Sequence, residues 1–136
     1  MKHLLDVNAL VALGFLQHEF HERVADWVHG QSSRFPLELA TCSITELGFV
    51  RVLAQAPQYG INVAHARTLL LRLKSAKVLT FTFISDDHDI SHIPAWVKTA
   101  KQTTDGHLAL LAKAHGATLA TLDGGIPGAF LIPNLR

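Results

Sequence analysis

The sequence predicts an α/β fold built on a parallel or mostly parallel sheet with helices on both faces. Short runs of β-forming residues alternate with segments of helical periodicity, and every connection between successive runs is too long for a hairpin, as parallel strands require. The 136 residues are 49% apolar, enough for one hydrophobic core, and no repeat, low-complexity tract or linker divides them, so a single domain over 1–136 is expected.

Lys2 to Asp6 is a short apolar strand candidate, followed by a helical pattern from Val7 to Leu16 and a second from Glu19 to His29, with Val24, Trp27 and Val28 on one face and Gly30 as its end. Leu37 to Cys42 is the next strand. Ser43 opens a helix that runs through Phe49 and Leu53 to the Ala56-Pro57 break, and a further helix spans Val63 to Ala76, whose Leu69, Leu70, Leu71 and Leu73 are assigned to the core. Val78 to Ile84, rich in Val, Phe and Thr, is a third strand, and Ser85 to Ser91 a polar loop. Thr103 or Thr104 caps a helix with Leu108, Leu111 and Ala112 inward that ends at His115-Gly116. Ala117 to Leu122 is a fourth strand, Asp123-Gly124-Gly125 a turn, and Phe130 to Ile132 a last short strand.

Composition limits the function classes. The longest apolar stretch, Ala9 to Leu16, falls short of the roughly 20 residues that cross a bilayer, and Asp6 interrupts the N-terminal apolar run before it resembles a secretory signal. One cysteine, Cys42, forms no internal disulfide, which fits a reducing cytosol and a cytoplasmic protein. The net charge of +1 does not by itself point to nucleic acid, yet gathering four of the 11 acidic residues into one pocket leaves 7 acidic against 12 basic residues elsewhere, a balance of +5.

In a parallel sheet, chemistry collects beyond the carboxyl ends of the strands. Asp6 ends the first strand, Glu46 lies in the first turn after the second, Asp123 follows the fourth, and Asp105 opens the helix before the fourth, at the same edge. Each acid has a structural alternative. Asp6 can cap the Val7 helix, and Ser43-Ile44-Thr45-Glu46 matches a capping box. Asp105 can complement a helix dipole, and Asp123-Gly124 is a turn signal. Separate caps have no reason to converge, however, and like charges brought together repel and raise one another's pKa. A hard divalent cation with oxygen ligands, Mg²⁺ or Mn²⁺, offsets them and supports phosphodiester hydrolysis by polarising phosphoryl oxygens and acidifying water.

Leu4-Leu5-Asp6-Val7-Asn8-Ala9-Leu10, Ser43-Ile44-Thr45-Glu46-Leu47-Gly48-Phe49-Val50-Arg51 and Thr103-Thr104-Asp105-Gly106-His107-Leu108-Ala109-Leu110-Leu111-Ala112 resemble the successive motifs of PIN-domain nucleases, among them the VapC-like toxins of type II toxin-antitoxin modules. Ala117 to Asp123 resembles the strand and acid that follow, so the likeness covers essentially the whole chain. It implies a three-layer α/β/α sandwich, a homodimer, and an endoribonuclease with Asp6, Glu46 and Asp105 as the metal-binding set and Asp123 as a more variable fourth member. It also implies an RNA substrate and a partner antitoxin that occludes the acidic pocket. Asn8 and Thr104 match polar family positions that can hold a carboxylate or a water, with helix-start roles as the alternative. Arg51 matches a position that can contact phosphate or anchor a carboxylate, with a solvated helix arginine as the alternative.

Other chemistries fit less well. His18 and His21 are three apart, not the four of a metalloprotease HExxH helix. His88 and His92, near Asp86, Asp87 and Asp89, have metal-ligand spacing, but Pro94 breaks the segment into a loop. His107, close to Asp105, is read as a partly exposed helix histidine. A haloacid-dehalogenase-like phosphatase needs an aspartate where Asn8 stands, and no phosphate-binding glycine loop is present. The rival class is a PIN-like module that has lost catalysis and acts through protein contacts; the retained acids argue against it.

Overall fold

A computed structural model describes residues 1–32 and 37–136, with the side chains of all of these except 31 and 32. Strands β1 (Lys2–Leu5), β2 (Glu38–Thr41), β3 (Thr80–Phe83), β4 (Thr118–Thr121) and β5 (Phe130–Leu131) form one sheet in the order β3-β2-β1-β4-β5. Every pairing is parallel, so the sheet expected to be mostly parallel is wholly so. Helices α1 (Val7–Gly14), α2 (His21–Ser32), α3 (Ser43–Gln55), α4 (Val63–Lys74) and α5 (Thr103–Ala114) fill the crossovers.

The period-two alternation of the strands builds two cores. Leu5, Leu39 and Ala120 face one way and pack with Trp27, Phe49, Leu53 and Leu70 beneath α1 to α4. Leu4, Ala40 and Leu119 face the other way, against Leu108 and Leu111 of α5 and against Ile84. Burying each such side chain contributes about 1.5–3 kcal/mol, and a one-residue slip of register would turn every one of them to the wrong layer. The result is the expected three-layer sandwich, with four helices on one face and one on the other.

Several boundaries move for local reasons. Phe15 leaves the helix with φ −125°, so α1 stops at Gly14 instead of Leu16. The chain then turns twice, His18 N–H to the Phe15 carbonyl and His21 N–H to the His18 carbonyl, both at 3.0 Å, and α2 starts at His21. Gly30 does not end α2, which continues to Ser32. Of the four leucines assigned to the core in α4 only Leu70 is buried; Leu69 and Leu73 are half-buried and Leu71, a further 100° round the helix, is 47% exposed. Three consecutive apolar positions cannot all face one neighbour, and α4 packs mainly on α3. Val78 is likewise exposed and precedes β3.

The α1 and α3 helices approach so closely that only glycine fits between them. A Cβ at Gly48 would stand 2.5 Å from Val7 Cγ2 and 3.0 Å from Val7 Cγ1. Valine is short and stiff at χ1, so it cannot swing aside. Gly48→Ala gains up to about 1 kcal/mol in helix propensity and loses about 1–3 kcal/mol to overpacking. The variant is therefore expected to be net destabilised, read as a lower urea midpoint at unchanged slope; an unchanged or higher midpoint would show that the helices can separate freely.

Candidate active site

The sheet order makes β1 the point where the chain changes direction: β2 and β3 extend to one side, β4 and β5 to the other. A crevice forms at such a switch, beyond the carboxyl ends of the strands. Leu5 is in register with Ala120, so the next residues, Asp6 and Thr121, stand side by side at the rim.

Asp6 is 6% exposed and caps α1, Oδ1 accepting from Ala9 N–H at 2.9 Å. Its capping role and its place in the crevice thus coexist, because Oδ2 turns the other way and accepts from the Thr121 hydroxyl at 2.5 Å. The same hydroxyl oxygen accepts from Asp123 N–H at 3.0 Å. Asp123 is exposed and does make the expected turn, Oδ1 accepting from Gly125 N–H at 2.9 Å. Asp105 is half-buried in the first turn of α5. Burial pushes the Asp6 carboxyl above the ordinary carboxylate range, and the charges of Asp105 and Asp123 push it further against its hydrogen bonds. Asp105 is raised by burial and then by Asp123, with Lys101 opposing. The three aspartates thus share one field, which Lys101 offsets only in part at Asp105.

Glu46 is held differently. The capping box predicted for Ser43 and Glu46 is made one residue earlier: Cys42 is the N-cap of α3, and Thr45 Oγ1 accepts from Cys42 N–H at 3.0 Å. Glu46 is therefore free of a capping task. Its Oε2 accepts from the Thr41 hydroxyl at 2.6 Å and from Lys74 Nζ at 2.5 Å, with both ionic side chains 25% exposed. Lys74 Nζ also lies 5.5 Å from the centre of the Phe83 ring. Glu46 and exposed Arg51 line an apolar groove of about 910 Å³ between α3 and α4, bordered by Leu47, Val50, Leu71 and Phe83. Asp6 and Asp123 line a smaller and more polar pocket of about 340 Å³ with exposed Asn8. The raised carboxyl of Asp6 lies in the smaller pocket. Among the described residues, no three His, Cys, Asp or Glu side chains form a ready-made metal cage.

Thr104 is exposed, and neither it nor Thr103 caps α5. A 3₁₀ turn at Ala100–Gln102 runs straight into the helix, and Thr103 donates its hydroxyl to the Ala100 carbonyl at 2.8 Å. His107 Nε2 is bonded to Asp86 Oδ2, so this histidine ties α5 to the loop after β3 instead of facing Asp105. His88 donates its backbone N–H to Asp86 Oδ1 at 2.9 Å, giving that loop internal order. Sequence reasoning did not single out Thr41, Thr121 or Lys74. The threonines lie at the last positions of β2 and β4, and a hydroxyl at a parallel strand's carboxyl end was the available signal.

A family model described as PIN domain matches residues 3–128. The chain is 39% identical to Ribonuclease VapC38 of Mycobacterium tuberculosis over 127 residues, covering 90% of this chain and 86% of the relative. It is 40% identical to Ribonuclease VapC44 of the same organism over 132 residues, covering 93% and 89%. In fold it is similar to a chain in a crystal structure of VapBC2 from Rickettsia felis bound to a DNA fragment from the promoter, with TM-score 0.60, 14% identity, and 96% and 97% of the two chains covered.

The raised Asp105 carboxyl has a consequence for stability. A raised acid contributes stability that is full below the unfolded-chain value of about 4 and lost as pH rises through the higher folded value. Asp105→Asn mimics the protonated form. With EDTA present, its melting midpoint should exceed that of the parent at pH 7, and the gap should close by about pH 3; equal midpoints at pH 7 would show that the acid is not strained.

Proposed function

Since the chain belongs to the PIN-domain family, we propose that it is a divalent-metal-dependent endoribonuclease, the toxin of a toxin-antitoxin pair, cutting RNA at the crevice of Asp6, Asp105 and Asp123. The observation that carries this reading is the convergence of these three acids from separate parts of the chain, two of them pushed up by burial and mutual repulsion. Structural caps explain each alone and do not explain why they share a field.

The donor set suits Mg²⁺ or Mn²⁺. It is all oxygen, and a small hard cation bound through a few carboxylates that keeps much of its water does not need a closed cage. Asp6, Asp105 and Asp123 would hold the ion, with Glu46 joining when Lys74 releases it. When bound, such an ion polarises a phosphoryl oxygen and makes water acidic enough to attack near neutral pH. The remaining work belongs to the chain. Thr121 fixes one oxygen of Asp6, and the α1 cap fixes the other, so the carboxylate is preorientated. Removing the repulsion among the aspartates also lets a polyanion approach a rim that would otherwise reject it. Asn8, exposed beside Asp6 in the pocket, is placed to donate to a bound phosphate or water. Arg51 stands on the groove side, where it can meet the nucleic-acid backbone or a partner.

The likeness to a VapBC chain supports an antitoxin protein as partner, and the family resemblance supports a homodimer. Among the described residues no helix is long and apolar enough to cross a membrane, and a cytoplasmic site of action fits the reading.

The decisive measurement is cleavage of a labelled total-RNA pool by the purified chain with antitoxin absent. Activity should need Mg²⁺ or Mn²⁺, vanish in EDTA, and fall to background in Asp6→Asn while the variant stays folded. Cleavage that survives EDTA would refute the metal mechanism, and a parent chain inert on every RNA with Mn²⁺ would return the molecule to the non-catalytic binding class. Lys74→Met offers a separate readout. If Lys74 competes with the cation for Glu46, its removal should tighten Mn²⁺ binding in equilibrium dialysis by about 1.5- to 5-fold, the worth of a partly exposed ion pair of about 0.2–1 kcal/mol; weaker Mn²⁺ binding would mean that Lys74 orients Glu46 for the metal.

A further inference from the structure

Part of the wall of the aspartate pocket is made by the turn between α1 and α2. His18, Glu19 and Phe20 line the same 340 Å³ space as Asp6, Asn8 and Asp123. Phe20 is 40% exposed. It is not loose. Val24 N–H donates to the Phe20 carbonyl at 3.2 Å, and Phe20 N–H donates to His18 Nδ1 at 3.0 Å. The two rings lie 5.9 Å apart and tilted by 46°, and the Arg23 guanidinium, anchored on the Ile132 carbonyl, sits 6.0 Å from the Phe20 ring centre. His21 Nδ1 is 2.7 Å from the Ala12 carbonyl, which pins the end of the turn to α1.

An aromatic ring 40% open to solvent on a backbone pinned by hydrogen bonds, beside carboxylates, suits a flat, uncharged group. The wall's own acid, Glu19, with Asp6 and Asp123 across the pocket, disfavours a second phosphate there. His18 fits the same picture: burial lowers it below the ordinary histidine value. With Nδ1 accepting from Phe20, the neutral ring carries its proton on Nε2 and offers one donor. Base–aromatic stacking tolerates every base, and a neighbouring donor can reach a base edge.

We propose that Phe20 and His18 form a nucleobase subsite, in which an unpaired RNA base next to the scissile phosphate stacks on Phe20 and accepts a hydrogen bond from His18 Nε2. The assignment rests on the ribonuclease reading and adds a requirement to it: the cut strand must be unpaired at that base. The subsite orients RNA and takes no part in bond breaking.

The test places Phe20 substitutions in the cleavage-null Asp6→Asn chain and measures binding of a short mixed-sequence single-stranded oligoribonucleotide by fluorescence anisotropy with Mg²⁺ present. Phe20→Ala should weaken binding by about 5- to 100-fold, the range for loss of one stacked base, with the melting midpoint unchanged. Phe20→Trp should restore affinity and Phe20→Leu should not, since leucine keeps apolar area without a π face. Equal binding by Phe20→Ala and its parent, or full rescue by leucine, overturns the subsite while leaving the nuclease reading intact. If the parent Asp6→Asn chain binds no RNA and the unmutated chain cleaves none, the nuclease reading fails and takes the subsite with it.

Discussion

The Thr121 hydroxyl is used twice. It donates to Asp6 and accepts from the backbone of Asp123, joining the end of β1 to the turn after β4 at a position with no solvent access. Parallel pairing makes this possible: Leu5 opposite Ala120 puts the next residue of each strand at the same rim. A shift of one residue would point the hydroxyl into the opposite layer and leave the Asp6 carboxylate buried with one partner fewer, a loss in the range of about 1–3 kcal/mol. The two cores and the acidic crevice therefore stand or fall on the same register.

The crevice stores unfavourable electrostatics that the rest of the fold must hold. Asp6 is buried near two other carboxylates, so its charged form is disfavoured, and the two apolar layers keep it there. Glu46 shows the contrasting solution. It meets a strand-end threonine as Asp6 does, but it also finds Lys74 from the last turn of α4, where a cation suits the helix dipole. Asp6 keeps the cost of its burial, whereas Glu46 is already paired with a cation from within the chain. The site thus divides into a charged half near β4 and a neutralised half near β3.

Much of this was legible in the amino-acid order. All five strands and five helices lie where alternation and helical periodicity put them, because the cores on the two faces impose those periods directly. Asp6, Asp105 and Asp123 were legible because strand ends in a parallel sheet share an edge. Less legible were features set by tertiary contact. Lys74 meets Glu46 across 28 positions and Thr121 meets Asp6 across 115, and no local pattern links either pair. Leu71 looked like core because three apolar residues in a row carry no phase. Thr103 looked like a cap because Thr-Thr-Asp is a cap signal, but a preceding 3₁₀ turn had already supplied the helix start. The exposed face of Phe20 depends on how the turn between α1 and α2 folds back, which composition does not encode.

Among the described residues, α5 is the one α-helix on its side of the sheet. Its attachments are Leu108 and Leu111 in the smaller core, the tie from His107 to Asp86, and Gly106, where an added Cβ would run into Val97. His115 at its far end is bonded to the Ser85 carbonyl at 2.8 Å. Loop 85–102 and α5 consequently form one cooperative unit, and Asp105 belongs to it, whereas Asp6 belongs to the thicker four-helix layer. Local opening costs least where the fewest apolar contacts must be broken. The shape of the acidic crevice is thereby tied to how firmly a single helix is seated on the thinner layer.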